Sequence, residues 1–286
     1  MGDDRTLRPE EVATLAQLAC LIEVSAGKPG NVSPAHAFRD MRYEDFLLSA
    51  LAIGPALAQA GRLPLGVAIR WAHEATRRWT PANTNLGLLL LLTPLVKAAL
   101  RAGGTLRERV RGVLAETSVE DAQEVYSTVR AAHPGGLGRV DSQDVAETPT
   151  VTLREAMGLA STRDTVAQEY VTDFAVTFEI GAPALLTARE AGLGWLDAAV
   201  ETFLVLLAER PDTLIARKLG LAEAQRVSEQ ARAIRVKGGI RNAEGRLELT
   251  RFDEVLRNEQ NSRNPGTTAD LTAAALFVVL LEQGGV

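Results

Sequence analysis

The sequence predicts an all-α protein, a single-domain bundle of many helices with long functional loops, spanning residues 1–286. Three observations support this prediction. Apolar residues recur at three-to-four spacing almost everywhere, strand signals are scarce, and no linker separates two compositions. With 286 residues and 46% hydrophobic side chains, the chain is long enough for one large core.

Helix-end residues and apolar periodicity place the helices in order along the chain. The first ends before Gly27, and the third begins at Pro64, whose fixed φ suits a first turn. Ser118 and Asp121 give a later helix a capping-box-like start, and Thr267 or Thr268 is the expected N-cap of the last helix. After the first helix, the predicted ranges are 43–60, 64–78, 86–102, 118–132, 152–160, 162–178, 182–192, 195–209, 221–235 and 267–282.

Three long loops interrupt this pattern, at residues 26–42, 133–150 and 236–250. Each exceeds the ~12–15 residues beyond which structureless loops become uncommon in compact domains. Long loops kept by a helical bundle are often functional. The alternative for each loop is a solvent-exposed connection without a functional role.

Composition and charge argue against several function classes. The net charge of -5 provides no global positive field for nucleic acid or an anionic membrane. The longest apolar stretch, Leu86 to Leu92, falls far short of the ~20 residues that span a bilayer. The single cysteine, Cys20, is expected to be a buried thiol, and the polar N-terminus lacks the apolar region of a secretory signal. We therefore expect a cytoplasmic protein with neither nucleic-acid nor membrane partners.

The first loop contains Lys28-Pro29-Gly30-Asn31, which combines a positive charge with a glycine that permits close backbone approach. This combination suits a phosphate group, although a simple turn between two helices explains it equally well. Downstream, Asp40 is able to bind a metal or accept a proton, and a surface position is the alternative.

The end of the chain contains a second Pro-Gly loop, Asn264-Pro265-Gly266, followed by Thr267, Thr268 and Asp270. A helix start with glycine and two hydroxyl groups is an anion site, whereas Asp270 alone would merely stabilise the helix dipole. From Arg235 to Arg263 there are seven basic residues against five acidic ones. This local excess favours a polyphosphate ligand over a solvated face.

Two polar groups in the middle of the chain have more than one interpretation. Asn83 and Thr84 precede the most apolar helix. They are interpreted either as caps of that helix or as ligand contacts. Glu169 and Asp173 are four residues apart, which predicts a wet acidic helix face, with a metal site as the alternative. The zinc, P-loop, dinucleotide-binding and G-x-S-x-G signatures are absent, and three scattered histidines argue against a histidine triad.

Taken together, the motifs resemble the triphosphoribosyl-dephospho-CoA synthase family, in an archaeal-type branch, from about residue 11 to residue 282. Family members typically read Asn-Thr-His-Lys-Gly where this chain has Asn83-Thr84-Asn85-Leu86-Gly87. The resemblance rests on motifs in this order: Glu23-Val24-Ser25, Lys28-Pro29-Gly30, Arg39-Asp40-Met41, Asn83-Thr84 with Gly87, Asp212-Thr213, Pro265-Gly266 and Ala269-Asp270-Leu271.

The resemblance implies an all-α enzyme that binds ATP with Mg²⁺, joins the ribose C1 to the 2′-hydroxyl of dephospho-CoA and releases adenine. A carboxylate should take the hydroxyl proton, negative charge should lie near an oxocarbenium-like carbon, and cations should hold the triphosphate. The candidate catalytic residues are Glu23, Asp40 and Asp270, and Asp40 and Asp212 are the candidate metal ligands. The candidate substrate and phosphate contacts are Lys28, Gly30, Asn31, Asn83, Thr84, Arg217, Lys218, Asn264, Gly266, Thr267 and Thr268.

Two other functions remain open from the sequence. One is a related enzyme of methanopterin-linked one-carbon cofactor biosynthesis, with a nucleotide-like or cofactor-precursor acceptor other than dephospho-CoA. The other is a non-catalytic helical ligand-binding protein. The apolar C-terminal helix fits the core of the chain, or an interface in a homo-oligomer.

Overall fold

Two apolar helices, α5 (Leu86–Ala99) and α15 (Gly266–Gln283), lie at the centre of the computed structural model. The structure describes residues 7–258 and 260–285. Apart from an isolated bridge between Ser33 and His36, the described residues contain no β-structure, so the all-α prediction is confirmed. The α-helices are α1 (Pro9–Ser25), α2 (Tyr43–Ala52), α3 (Gly54–Ala58), α4 (Leu65–Arg77), α5 (Leu86–Ala99), α6 (Leu106–Ala115), α7 (Val119–Ala132), α8 (Leu153–Ala160), α9 (Thr165–Val171), α10 (Ala182–Glu190), α11 (Trp195–Glu209), α12 (Thr213–Leu219), α13 (Leu221–Val236), α14 (Ala243–Leu256) and α15 (Gly266–Gln283).

Helix α15 is enclosed by its own chain. It packs against α1, α5, α10 and α11, and its residues from Leu271 to Leu280 are all buried. Burial on every side explains why this helix is apolar all round. The sequence left two positions possible for this helix, the core of the chain or an interface in a homo-oligomer, and the structure places it in the core.

The predicted loop at 236–250 is wrong, because most of it belongs to α14. A short 3₁₀ turn, Gly239–Arg241, precedes this helix, and Asn242 caps its start. A Cβ on Gly245 would lie 2.0 Å from the carbonyl oxygen of Gly239. Glycine is required there because the turn packs directly on the helix, so the glycines that suggested a loop reflect close packing.

The predicted helix 162–178 is also wrong, since α9 ends at Val171. Asp173 and Phe174 then take left-handed backbone angles, with φ values of 53° and 59°, before a π-helical turn, Thr177–Gly181. Helices α6 and α12 were not predicted, and 43–60 divides into α2 and α3 at Ile53. Short segments with few apolar positions give a weak periodic signal.

The break after α9 separates Glu169 from Asp173. Glu169 is fully buried and accepts hydrogen bonds from the backbone of Val176 and Thr177 and from the Thr177 hydroxyl, at 2.6–3.0 Å. Burial raises the pKa of Glu169 to about 7. Asp173 instead pairs with Arg111 and Arg154. The acidic face predicted for these two residues is therefore wrong.

Several smaller predictions have clear outcomes. The capping box at Ser118 is present, and Cys20 is buried. No helix among the described residues is long and apolar enough to cross a membrane. The polar segment 1–6, which suggested the absence of a secretory signal, lies outside the described residues, as does Glu259 in the basic stretch.

Candidate active site

A cavity of about 810 Å³ opens where several helices begin. The first turns of α5, α9, α12 and α15 border it, together with the loops at 31–41 and 134–145. The N-terminal turns of four helices therefore lie around one space. Of the three loops predicted to be functional, 26–42 and 133–150 line the cavity and 236–250 does not.

The two Pro-Gly loops, Lys28-Pro29-Gly30-Asn31 and Asn264-Pro265-Gly266, lie against each other. The side-chain amide of Asn264 donates to the carbonyl oxygen of Gly30 and to Asn31 Oδ1, both at 2.9 Å. Gly30 has a φ of 74°, and a Cβ on it would meet Leu256 and Pro265 at 2.9–3.0 Å. Asn31, Asn264 and Gly266 line the cavity, whereas Gly30 is the point of contact between the loops and does not.

Lys28 does not have the position predicted for a phosphate-binding residue. Its side chain is fully buried, and its ammonium group is 2.9 Å from Glu23 Oε1 and donates to the backbone carbonyls of Glu23 and Ala26. The three donors of the ammonium are therefore all used within the protein. Lys28 fixes the loop and balances the charge of Glu23, and it does not line the cavity, so the structure gives no support to a role as a phosphate contact.

Asp212 and Thr268 are likewise engaged inside the protein. Asp212 Oδ1 accepts the backbone N–H groups of Leu214 and Ile215 at 2.9–3.0 Å, and Oδ2 accepts the backbone N–H and hydroxyl of Thr268 at 2.8 Å. One carboxylate thus caps both α12 and α15. The predicted anion site at the start of α15 binds an internal anion, and neither residue lines the cavity.

The N-cap of α15 is Pro265, and neither Thr267 nor Thr268 has that position. Because proline has no side-chain acceptor, the carboxylate of Asp212, which is distant in the sequence, caps α15 instead. Thr267 still lines the cavity, and its hydroxyl accepts from Thr213 at 3.2 Å.

The basic stretch from Arg235 to Arg263 does not provide the cavity with charge. Every basic residue in it lies within 4.0 Å of a carboxylate, and none lines the cavity. Four of the acidic partners come from other helices, so the local excess of charge is neutralised by the tertiary structure. The pairs are Arg235–Glu209, Lys237–Glu248, Arg241–Glu201, Arg246–Asp197, Arg251–Glu248, Arg257–Asp253 and Arg263–Glu223.

The cations that do line the cavity are Arg77, Arg163, Arg217 and Lys218. Only the Arg217-Lys218 pair was predicted. Burial lowers the pKa of Lys218. Arg217 forms an ion pair with Asp164, which also lines the cavity. Arg163 and Asp164 escaped prediction because they lie in a turn that was assigned to a helix; the polar run Ser161-Thr162-Arg163-Asp164 was the available signal.

Asp270 is the carboxylate of the cavity that is most available to a substrate. It lines the cavity and has no hydrogen-bond or ion-pair partner among the described residues. Burial, followed by the nearby charges of Glu23, Asp212 and Asp164, raises the pKa of Asp270 well above its usual value, and Arg217 opposes this effect. A Cβ on Gly87 would lie 2.1 Å from Asp270 Oδ2, so glycine at position 87 makes room for this carboxylate.

The remaining predicted site residues lie in the same cavity. Glu23 is buried at its wall, and Asp40 is exposed at its edge. Asn83 caps the backbone N–H of Leu86, and the Thr84 hydroxyl bonds to Ser49 at 2.6 Å. Asn85 and Leu86, which replace the family's His-Lys pair, both line the cavity, with Asn85 donating to the Thr76 hydroxyl.

Apolar side chains also line the cavity. They come from α7, α8 and α9, among them Val129, Met157 and Val166, with Leu137 from the 134–145 loop. The cavity therefore offers both charged and apolar lining, a combination suited to nucleotides with their flat bases.

Comparisons with known proteins agree on one family. The family model described as ATP:dephospho-CoA triphosphoribosyl transferase matches residues 9–286. A relative from Vibrio cholerae, assigned as a 2-(5''-triphosphoribosyl)-3'-dephosphocoenzyme-A synthase, is 29% identical over 96% of this chain and 89% of its own length. A crystal structure from Archaeoglobus fulgidus, assigned as a triphosphoribosyl-dephospho-CoA synthase, matches with a TM-score of 0.64 and 30% identity. It covers 82% of this chain and 98% of its own.

Proposed function

This chain belongs to the ATP:dephospho-CoA triphosphoribosyl transferase family, and we propose that its cavity transfers the triphosphoribosyl group of ATP to dephospho-CoA. In this reaction the bond between ribose C1 and adenine breaks, and a bond forms between C1 and the 2′-oxygen of the acceptor. The acceptor hydroxyl loses a proton, and adenine leaves with one. The protein must therefore move a proton and stabilise positive charge at C1.

The observation that supports this proposal most directly is the unpartnered Asp270 carboxylate. A general base works best when its pKa approaches the working pH, and burial raises the pKa of Asp270 in that direction. Because no donor among the described residues engages its oxygens, Asp270 is free to accept the acceptor's hydroxyl proton. We assign it that role.

Glu23 provides the second carboxylate. Its carboxylate pairs with Lys28 and lies at the cavity wall. Two neighbouring carboxylates in different surroundings commonly divide proton transfer and charge stabilisation between them. We assign Glu23 to stabilising the oxocarbenium-like carbon.

The triphosphate is assigned to the cationic side chains of the cavity. Arg217, Lys218 and Arg163 provide positive charge there. Among the described residues, no three acidic, histidine or cysteine side chains form a metal cluster. Mg²⁺ bound with ATP needs only one or two carboxylates, and Asp40 fits that requirement, whereas the oxygens of Asp212 are already engaged. The ion would neutralise phosphate charge.

The test is adenine release from ATP with Mg²⁺ and dephospho-CoA, followed by mass analysis of the joined product. We expect Asp270→Asn to lower the turnover by about 10²–10⁴-fold, the usual contribution of a general base. Asp197→Asn is the matched control, since Asp197 pairs with Arg246 outside the cavity and should leave turnover unchanged. Full activity in Asp270→Asn would contradict the assignment.

The choice of acceptor separates this proposal from its alternatives. A 2′-deoxy analogue of dephospho-CoA should yield no product, because it lacks the attacking hydroxyl. If adenine appears only with a pterin- or furan-type cofactor precursor, the chain acts on a different acceptor. If Mg·ATP binds and no acceptor releases adenine, the chain is a ligand-binding protein.

A further inference from the structure

Asp164 and Arg217 meet at the cavity wall, where α9 and α12 begin. Arg217 Nη1 donates to Asp164 Oδ2. The other oxygen, Oδ1, accepts the backbone N–H groups of Val166 and Ala167 at 2.9 and 3.2 Å. One oxygen of Asp164 therefore caps α9, and the other holds a guanidinium group that belongs to α12.

Most of the Arg217 guanidinium has no partner in the protein. Its Nε is buried without a hydrogen bond, and among the described residues Nη2 has none either. Arg257 shows how this edge is used elsewhere, since its Nε and Nη2 both donate to Asp253 at 2.7–2.8 Å. A buried donor without an acceptor is unfavourable, so the corresponding edge of Arg217 is suited to an external anion.

The loop at 134–145 also restricts Arg217. A Cβ on Gly136, whose φ is 74°, would lie 3.1–3.2 Å from atoms of Arg217, and a Cβ on Gly135 would lie 3.3 Å from Lys218 Cε. These two glycines allow the loop to pack directly on α12. The atoms of Arg217 nearest Gly136 belong to its backbone and Cβ, so the loop packs on the base of this side chain while Asp164 holds its guanidinium group.

We propose that Asp164 is a positioning residue that holds Arg217 by Nη1 and turns its Nε–Nη2 edge toward a phosphate group of the bound triphosphate. This inference rests on the proposed function for the identity of the ligand. A planar guanidinium binds a phosphate through two parallel hydrogen bonds only when its orientation is fixed. The geometry thus gives the unpredicted residue Asp164 a role through Arg217.

The first test measures binding of inorganic tripolyphosphate and of Mg·ATP by calorimetry. Arg217→Gln should weaken tripolyphosphate binding about 10- to 150-fold, the usual effect of a lost charged hydrogen bond. Asp164→Asn keeps an oxygen to cap α9 but loses the negative charge, and should weaken binding by about tenfold at most. Glu116→Gln, which removes the exposed partner of Arg101, is the matched control and should change nothing.

The double variant decides whether Asp164 acts through Arg217. Asp164→Asn combined with Arg217→Gln should bind tripolyphosphate as weakly as Arg217→Gln alone, because the two residues form one unit. Additive losses would show that Asp164 acts independently and would overturn the proposal. A lower melting temperature of Asp164→Asn with unchanged affinity would also overturn it, since Asp164 would then be only a helix cap.

A second readout uses the charges that face Asp270, namely Glu23, Asp164, Asp212 and Arg217, with the thiol of Cys20 nearby. Asp164 raises the pKa of Asp270 and Arg217 lowers it. The acidic limb of the pH profile of kcat/KM should therefore move to lower pH in Asp164→Asn and to higher pH in Arg217→Gln. Shifts in the same direction would contradict this arrangement of charges.

These experiments separate the two proposals. Tripolyphosphate binding does not require turnover, so it tests the Asp164–Arg217 pair even if dephospho-CoA is not the acceptor. Conversely, adenine release by the wild type with unchanged binding in both single variants would leave the proposed function intact and remove the inference about Asp164.

Discussion

Asp212 and Asp270 both lie near the first turn of α15, and their surroundings differ sharply. Asp212 is buried and Asp270 is half-buried, and burial raises the pKa of each. Asp212 accepts four hydrogen bonds from two helix starts, whereas Asp270 has no partner in the described part of the chain. The first carboxylate stabilises the fold, and the second is left available for a substrate.

The same contrast separates two cations of the site. The Lys28 ammonium is satisfied by Glu23 and by two backbone carbonyls, whereas the Arg217 guanidinium keeps an edge without a protein acceptor. Burial alone therefore does not identify a functional residue. The number of hydrogen bonds that the protein itself leaves unmade is the better guide.

The largest change in stability is expected for Lys28→Met. Removing one partner of a buried ion pair leaves Glu23 as an uncompensated charge, so the free energy of unfolding should fall by about 3–5 kcal/mol. Adding Glu23→Gln should restore part of it. Lys237→Met, in an exposed pair with Glu248, is the control and should cost about 0–1 kcal/mol. Urea unfolding measures all three, and a small effect of Lys28→Met would show that the buried pair contributes little to the stability of the fold.

A smaller loss is expected for Asp212→Ala, which removes the cap of two helices at once. With about 0.5–2 kcal/mol for each cap, the free energy of unfolding should fall by about 1–4 kcal/mol. Asp270→Asn should cause no such loss, because no hydrogen bond within the protein is broken. Equal destabilisation by the two changes would contradict the division between a structural and an available carboxylate.

Gly87→Ala should disturb the available carboxylate directly. The new methyl group would overlap Asp270 Oδ2, so we expect a loss of about 1–3 kcal/mol from overpacking and a fall in turnover. Gly27→Ala is the matched control, since a Cβ there meets nothing within 4 Å. Wild-type turnover in Gly87→Ala would show that the position of Asp270 does not matter for catalysis.

The smallest effect concerns pH. A carboxyl group whose pKa is raised by folding binds protons more tightly in the folded state, so its stabilising contribution is full below the unfolded value of about 3.8 and is lost as the pH rises through the folded pKa. Asp270→Asn should therefore gain stability relative to the wild type between about pH 4 and about pH 8. Unfolding at both pH values measures this, and a constant difference would mean that the pKa of Asp270 is unshifted.

The fold class was predictable because it depends on local periodicity. The apolar run of α5 and the Ser118 capping box are signals within a few residues of each other, and the structure confirms both. Helix α14 was missed because Gly239 and Gly245 suggest a loop when considered alone. Their contact across a turn, which explains both glycines, is not visible in the order of residues.

The sequence by itself determined the all-α class and the family resemblance. The tertiary structure alone decided which charges remain available, because an ion pair depends on distances between residues far apart in the chain. It engaged Lys28 and Asp212 internally, neutralised the basic stretch from Arg235 to Arg263, and brought Asp164 to Arg217. Among the described residues, the fold leaves Asp270 and one edge of Arg217 without an internal partner, and a buried polar group in that state is unfavourable until a ligand pairs with it.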